Sequence, residues 1–111
     1  MARNKTAELL QGALELLILR LLQSQPLNGW DIMHRLQLVT SDVLTVTAGS
    51  LYPALHRLEG RGLVSASWQL SENNRRARVY RITAAGRRQL ETEREVWARF
   101  SSAVNALLKK A

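Results

Sequence analysis

Leucines recur at helical spacing over the first part of the chain. From about Thr6 to Ser24 the apolar positions step by three or four residues along one face, formed by Leu10, Leu14, Leu17 and Leu21. Further apolar residues widen this face, namely Leu9, Ala13, Leu16 and Leu22. A helix that is apolar on two sides packs on its own domain and also against a second surface. We therefore predict an N-terminal helix with one face left for a partner.

Two shorter helical patterns follow a break at Pro26. Asn28 is a suitable N-cap for a helix through about Val39, whose apolar positions are Trp30, Ile32, Met33 and Leu36. A loop rich in Thr and Ser comes next. A third helix is expected over residues 48–60, with a buried stripe of Leu51, Leu55 and Leu58. The residues Gly60, Arg61 and Gly62 should end the third helix, with a glycine available for a left-handed cap.

The period changes from helical to alternating after the third helix. Apolar residues at 64, 66, 68 and 70 alternate with polar ones, which is typical of a half-buried strand. A polar turn of residues 71–76 leads to a second strand at about Arg78 to Ile82, and Asn73 and Asn74 in that turn tolerate a positive φ. The two strands should form a β-hairpin.

The last helix should run from a Thr83 cap to the end of the chain. Its second half carries a narrow apolar stripe, Trp97, Phe100, Val104, Leu107 and Leu108. A long helix with so narrow a stripe needs a partner helix. We therefore predict a dimer whose interface combines this stripe with the spare face of the first helix, at Leu9, Ala13 and Leu16.

The order of elements predicts a mostly α fold with a β-hairpin wing, the winged helix-turn-helix. Residues 1–85 would form a DNA-binding domain, and residues 86–111 a dimerisation helix packed with the first helix. The 111 residues suffice for one compact domain. Because a small core often gains stability by oligomerisation, size also favours a dimer.

Charge and composition narrow the function. Sixteen Lys and Arg against nine Asp and Glu give a net charge of +7, which favours a polyanionic partner. The chain has no cysteine and two histidines, so a disulfide framework and a thiol nucleophile are excluded and no metal site is expected. Neither a membrane span nor a targeting signal is found, and we expect a cytoplasmic protein.

Basic residues concentrate on the predicted wing. Six arginines lie between positions 75 and 88, and no carboxylate occurs between Asn73 and Leu90. Guanidinium groups on a protruding hairpin can reach DNA phosphates or a minor groove. The predicted wing contacts are Asn74, Arg75, Arg76 and Arg78. A solvated, solubilising loop is the alternative interpretation.

The third helix has the residue types of a DNA-reading helix. Side chains near its N-terminus must be short or polar enough to approach base edges in a major groove. Suitable candidates are Thr47, Ser50, Tyr52, His56 and Arg57. Structural roles compete for each one: Thr47 could be only an N-cap, and Tyr52 could bridge to the core. Glu59 is expected to pair locally with an arginine and not to contact a nucleic acid.

Enzymatic function finds no support in the sequence. Paired carboxylates, a Ser-His-Asp set, a phosphate-binding Gly-rich loop and a metal cluster are all missing, and no cofactor is predicted. Two alternatives to a sequence-specific regulator stay open. One is a winged-helix module whose basic wing docks an acidic protein, and the other is a nonspecific nucleic-acid binder.

Four strings carry a family resemblance: GWDI at 29–32, TAGSLYPALHRLE at 47–59, GLV at 62–64 and RARVYRITAAGR at 76–87. They resemble the PadR family of bacterial transcriptional regulators, over about residues 10–88. The single C-terminal helix is similar to that of the smaller PadR subfamily. The resemblance implies a homodimeric repressor on an inverted-repeat operator.

By motif position, the resemblance implies DNA contacts from Ser50, Tyr52, Pro53 and His56 on the third helix and from Arg76 and Arg78 on the wing. Two positions depart from the family pattern, because Trp30 stands where tyrosine is common and Ala77 where proline is common. Some family members respond to aromatic compounds held at the dimer interface. Trp97 is similar in placement to a ligand-stacking aromatic of such relatives, and plain dimer packing is its alternative role.

Overall fold

Four helices and three short strands follow one another along the part of the chain that the structure describes. The computed structural model describes residues 5–70 and 73–110. The elements are α1 (Lys5–Ser24), β1 (Leu27–Asn28), α2 (Gly29–Val39), α3 (Ala48–Gly60), β2 (Val64–Leu70), β3 (Arg76–Ile82) and α4 (Ala84–Lys110). The predicted winged-helix fold is confirmed. The predicted turn of residues 71–76 lies partly outside the described residues.

Caps and stops fix the helix bounds where the sequence predicts them. The backbone N–H of Asp31 donates to Oδ1 of Asn28 over 2.8 Å, and that of Gly86 donates to Oγ1 of Thr83 over 3.0 Å. At the end of α3, Gly62 has a φ of 73°, and the N–H of Leu63 reaches back to the carbonyl of Leu58 over 3.0 Å. This Schellman-type closure turns the chain from α3 into β2.

The sheet is larger than the predicted two-stranded hairpin. Its strand order is β1-β3-β2, all antiparallel, and Leu27 lies opposite Tyr80. A two-residue strand has no alternation to detect, which is why the sequence showed only a break there. β3 also begins at Arg76 rather than near Arg78, because the ladder to β2 continues as far as the pair Leu70–Arg76.

The core lies between α1, α2, α3 and the base of the sheet. In α1 the buried residues are Leu10, Leu14, Ile18, Leu19 and Leu22. The predicted α1 stripe is therefore only half right, because Leu17 and Leu21 are partly buried. Ile18 takes the central place on the buried face, since that face advances by four residues from Leu14. In α3 the predicted stripe of Leu51, Leu55 and Leu58 is fully buried, together with Ala54.

Two aromatic side chains predicted on buried faces are exposed. Trp30 keeps 64% of its surface exposed because α2 turns Ile32 and Leu36 towards the core, and its ring stacks on His34 with centroids 5.0 Å apart. Trp68 is 55% exposed and Leu70 is 69% exposed, since the β2–β3 hairpin extends past the core. Only the base of β2, at Val64 and Ala66, has the predicted half-buried character.

Helix α4 leaves the core early in its length. Its buried residues are Gly86 and Leu90, and its remaining 20 residues, 91–110, carry none. At 27 residues it is about 40 Å long. It also contacts α1 of the same chain. No helix of the described residues is long and apolar enough to cross a membrane.

Candidate nucleic-acid interface

Helix α3 has a buried side and a solvent-facing side. The buried side is the leucine stripe described above. The exposed side carries predicted DNA contacts: Tyr52, Pro53, His56 and Arg57. Pro53 lies inside the helix and has no N–H to offer the carbonyl of Gly49 one turn back. The helix therefore presents a polar and aromatic surface of the kind that a major groove admits.

The first turn of α3 is tied to α1. Nε2 of Gln11 donates to the Ser50 hydroxyl over 3.1 Å, and Ser50 is half-buried. Thr47 is the N-cap residue of α3 and is exposed, and its own side chain makes no cap hydrogen bond. A DNA contact by Ser50 stays a prediction, and it would require the Gln11 hydrogen bond to be shared or broken.

Tyr52 turns back towards the start of α2. Its hydroxyl lies against Gly29 so closely that a Cβ on that glycine would collide with it and would come within 2.7 Å of the ring carbon Cζ. Gly29 is therefore a position where the absence of a side chain makes room for Tyr52. The ring keeps 46% of its surface exposed, so it packs on α2 and still faces solvent.

The wing, as far as the structure describes it, consists of β2, β3 and the end of the turn between them, residues 64–70 and 73–82. Asn74 in that turn has a φ of 58°, as its predicted tolerance of the left-handed region allows. Asn74, Arg75 and Arg76 are exposed, whereas Arg78 is half-buried. The arginines predicted to contact DNA thus differ in accessibility along β3.

The Trp68 ring contacts two arginines of the wing. It lies directly opposite Arg78 in the β2–β3 register. The guanidinium carbon of Arg76 is 4.9 Å from the centroid of its ring, and that of Arg78 is 5.6 Å away. Both distances lie within cation–π range. Nη2 of Arg78 also donates to Oε2 of Glu59 over 2.9 Å, so Glu59 pairs with an arginine as predicted, but with one 19 residues away and not with a local one.

An open cleft of about 440 Å³ joins α3 to the wing. Its lining combines aromatic rings with guanidinium groups, and it includes Tyr52, Trp68, Arg76, Arg78 and Tyr80. Burial raises the pKa of the Tyr80 hydroxyl above its usual value of 10.0, although nearby Arg78 acts in the opposite direction. Tyr80 is therefore a neutral hydroxyl at physiological pH. Helix α3 and the wing thus both contribute to one concave, basic surface.

A family comparison places this surface in context. The profile of the family described as "Transcriptional regulator PadR-like family" matches residues 18–92, which include α2, α3 and the whole wing. The chain belongs to the PadR-like family. Members of this family are transcriptional regulators and not enzymes.

Solved structures of similar proteins share the PadR-like architecture. A PadR-like transcriptional regulator from Bacillus cereus is 30% identical, with a TM-score of 0.79 over 91% of this chain and 96% of that one. A transcriptional regulator from Clostridium thermocellum is 26% identical, with a TM-score of 0.81 over 88% and 95% of the two chains. Among curated proteins, a transcriptional regulator from Mycobacterium tuberculosis is 51% identical over 49 residues, 44% of this chain and 45% of that one.

The PadR-like surface contains residues that sequence reasoning did not assign to it. Trp68 was expected in the core, yet it lies beneath the two wing arginines. Trp30 also lines the cleft. A tryptophan opposite an arginine on a predicted hairpin is a signal that could have indicated the first of these contacts.

A second surface of this PadR-like chain is apolar. Along α4 the predicted interface residues are exposed: Trp97, Phe100, Val104, Leu107 and Leu108. On α1, Leu9 is 74% exposed, and Ala13 and Leu16 are partly buried. Trp97 and Phe100 lie next to each other with ring centroids 6.0 Å apart, and together with Ala13 and Leu16 they line a cleft of about 210 Å³. Four of the eight predicted interface residues, two on α1 and two on α4, therefore come together at this cleft.

Proposed function

We propose that this PadR-like regulator is a homodimeric repressor that binds an inverted-repeat operator. Helix α3 would enter the major groove while the wing contacts the adjacent backbone or minor groove. The observation that carries the proposal is the shared cleft, in which Tyr52 of α3 and Arg76 of the wing line one basic concavity. A major groove and the neighbouring minor groove can be reached from the same side of a duplex. A protein that contacts both must therefore present its reader helix and its wing on one surface.

Roles within the interface follow from accessibility. Side chains that read base edges must project freely from α3, and His56 and Arg57 do so on its exposed side. Phosphate contacts need accessible guanidinium groups, and Arg76 is exposed on the wing. We therefore assign sequence preference mainly to α3 and sequence-independent affinity mainly to the wing.

Dimerisation is proposed from the exposed stripe on α4. Residues 97, 100, 104 and 107 step by three, four and three, which is the spacing of a two-helix seam. Exposed apolar rows of this length on a soluble domain mark an interaction surface. We assign residues 1–85 to DNA binding and residues 86–111 to dimerisation together with α1. Two copies would place their α3 helices about 34 Å apart, or a multiple of that distance.

A role for Trp97 in effector binding is a secondary proposal. The cleft between α1 and α4 gives it a place where a small aromatic compound could stack. Its main proposed role is packing between protomers, since it belongs to the exposed apolar stripe of α4.

The direct test is an electrophoretic mobility shift. The probe is the intergenic DNA upstream of the protein's own gene, and the control is a random duplex of the same length at the same moderate salt concentration. We expect preferential binding of the upstream DNA. Equal binding of both duplexes would indicate a nonspecific binder. Absence of any shift, with an acidic protein co-purifying, would indicate a protein-docking module.

A further inference from the structure

Arg78 occupies an unusual position for a DNA-contacting arginine. Its guanidinium group is paired with the Glu59 carboxylate over 2.9 Å, and the two side chains are only 36% and 34% exposed. The centroid of the Trp68 ring is 5.6 Å from its guanidinium carbon, and the Tyr80 hydroxyl is a further neighbour. One guanidinium N–H of Arg78 is committed to Glu59, and the carboxylate offsets the positive charge that would attract a phosphate.

Glu59 is equally unusual on this surface. It belongs to α3, and a carboxylate on a face that approaches DNA repels the phosphate backbone. Its partner Arg78 lies 19 residues further along the chain, on β3. The ion pair therefore joins the predicted reader helix directly to the wing.

We propose that Glu59, Arg78 and Trp68 form a brace that fixes the wing against α3, and that Arg78 is a positioning residue and not a DNA contact. Arg76, which is exposed and also lies over the Trp68 ring, then supplies the phosphate contact on this strand. The inference rests on the proposed DNA-binding function. It revises the role that the family resemblance implies for Arg78.

The brace has a physical purpose in binding. A helix and a wing that engage two grooves at once must keep a fixed separation, and a loose wing would lose conformational entropy on each binding event. The part of the hairpin beyond Ala66 lies outside the core, so core packing alone does not hold it. A contact between α3 and the middle of the hairpin supplies the missing restraint.

The substitution Glu59→Gln gives opposite predictions under the two interpretations. If Glu59 only adds negative charge near DNA, its removal tightens binding. If it holds the brace, its removal weakens binding by about fivefold, as expected for losing a half-exposed ion pair, and leaves the salt dependence of binding unchanged. The probes are the upstream duplex and a random duplex of equal length. Equal or tighter binding by this variant overturns the proposal.

A matched control is available on α4. Glu91 is paired with Arg94 at 4.0 Å on an exposed helix surface, so Glu91→Gln makes the same chemical change away from the wing. It should leave DNA affinity unaltered. A loss equal to that of Glu59→Gln would mean that the effect is not specific to the brace.

Variants of the other two members complete the binding test. Arg78→Gln should weaken binding without changing the salt slope, and adding it to Glu59→Gln should cause no further loss. A reduction of the slope by about one unit would instead identify Arg78 as a phosphate contact. Trp68→Phe should retain wild-type affinity because it keeps a ring, whereas Trp68→Leu should weaken binding.

Hydrogen exchange separates the brace from DNA binding itself. Without DNA, Glu59→Gln should speed exchange of the β2 and β3 amides relative to the wild type and to Glu91→Gln. Unchanged exchange overturns the brace. If the wild type binds no DNA, the proposed function fails, and exchange alone then decides whether the brace exists.

Discussion

Gly86 lies where α4 crosses the end of β3, and the substitution Gly86→Ala should destabilise the fold even though alanine favours helices. A Cβ at this position would collide with the backbone carbonyl of Leu63 and would lie 2.8 Å from Cγ1 of Ile82. The Leu63 carbonyl cannot easily move away from such a Cβ, because it accepts a hydrogen bond from the N–H of Thr83 over 3.1 Å. The Thr83 hydroxyl in turn donates to the carbonyl of Gly62 over 2.7 Å.

The size of the effect follows from two opposing contributions. Overpacking against a backbone atom that is held in place belongs at the upper end of the usual cost, about 3 kcal/mol. Replacing glycine by alanine within a helix returns up to about 1 kcal/mol. We therefore expect the free energy of unfolding to fall by about 2 kcal/mol, which lowers the urea midpoint by roughly 1 M for a chain of this size.

Gly60 provides the matched control for this prediction. It is the last residue of α3, and a Cβ there would meet no heavy atom within 4 Å. Gly60→Ala should therefore leave stability unchanged or raise it slightly. Urea unfolding followed by circular dichroism measures both variants, at one protein concentration because a dimer's stability depends on it. A Gly86→Ala protein as stable as the wild type would refute the close contact between Gly86 of α4 and the carbonyl of Leu63, the residue before β2.

Three further variants test the proposed interfaces. Arg76→Ala should weaken binding to specific and random duplexes alike and lower the salt slope of binding by about one unit. As a control, Arg99→Ala on the exposed side of α4 should change neither the affinity nor the slope. An unaltered slope for Arg76→Ala would contradict a phosphate contact by Arg76. His56→Ala should change which sequences are selected from a random pool, and a uniform loss across sequences would contradict a reading role. Trp97→Asp should yield monomers in light scattering, and a persistent dimer would place the interface elsewhere.

The elements that could be predicted from sequence are those whose signals are local. Helix α3 was bounded correctly because its leucine period, its N-terminal Thr47 and its glycine stop lie within 16 residues of sequence. The Asn28 and Thr83 caps likewise act on backbone groups three residues away. Local hydrogen bonds and helical periods depend only on residues that are close together in the chain, so the sequence predicts them directly.

The features that escaped prediction depend on contacts between distant segments. Strand β1 exists only because β3 offers it a partner, and two residues carry no period of their own. Trp68 fits an alternating strand, but whether it is buried depends on how far the hairpin extends past the core. The run of arginines indicated a basic wing without indicating which arginine Glu59 would neutralise. That choice requires the packing of β3 beside α3.

Hydroxyl-radical footprinting of the complex with upstream DNA tests the central claim most directly. If a twofold dimer presents α3 and the wing to one side of a duplex, each strand should show two protected patches related by symmetry. Their centres should be separated by about one helical turn, or a multiple of it, on the same face of the DNA. A single patch, or uniform protection along the whole fragment, would contradict a paired arrangement of helix and wing.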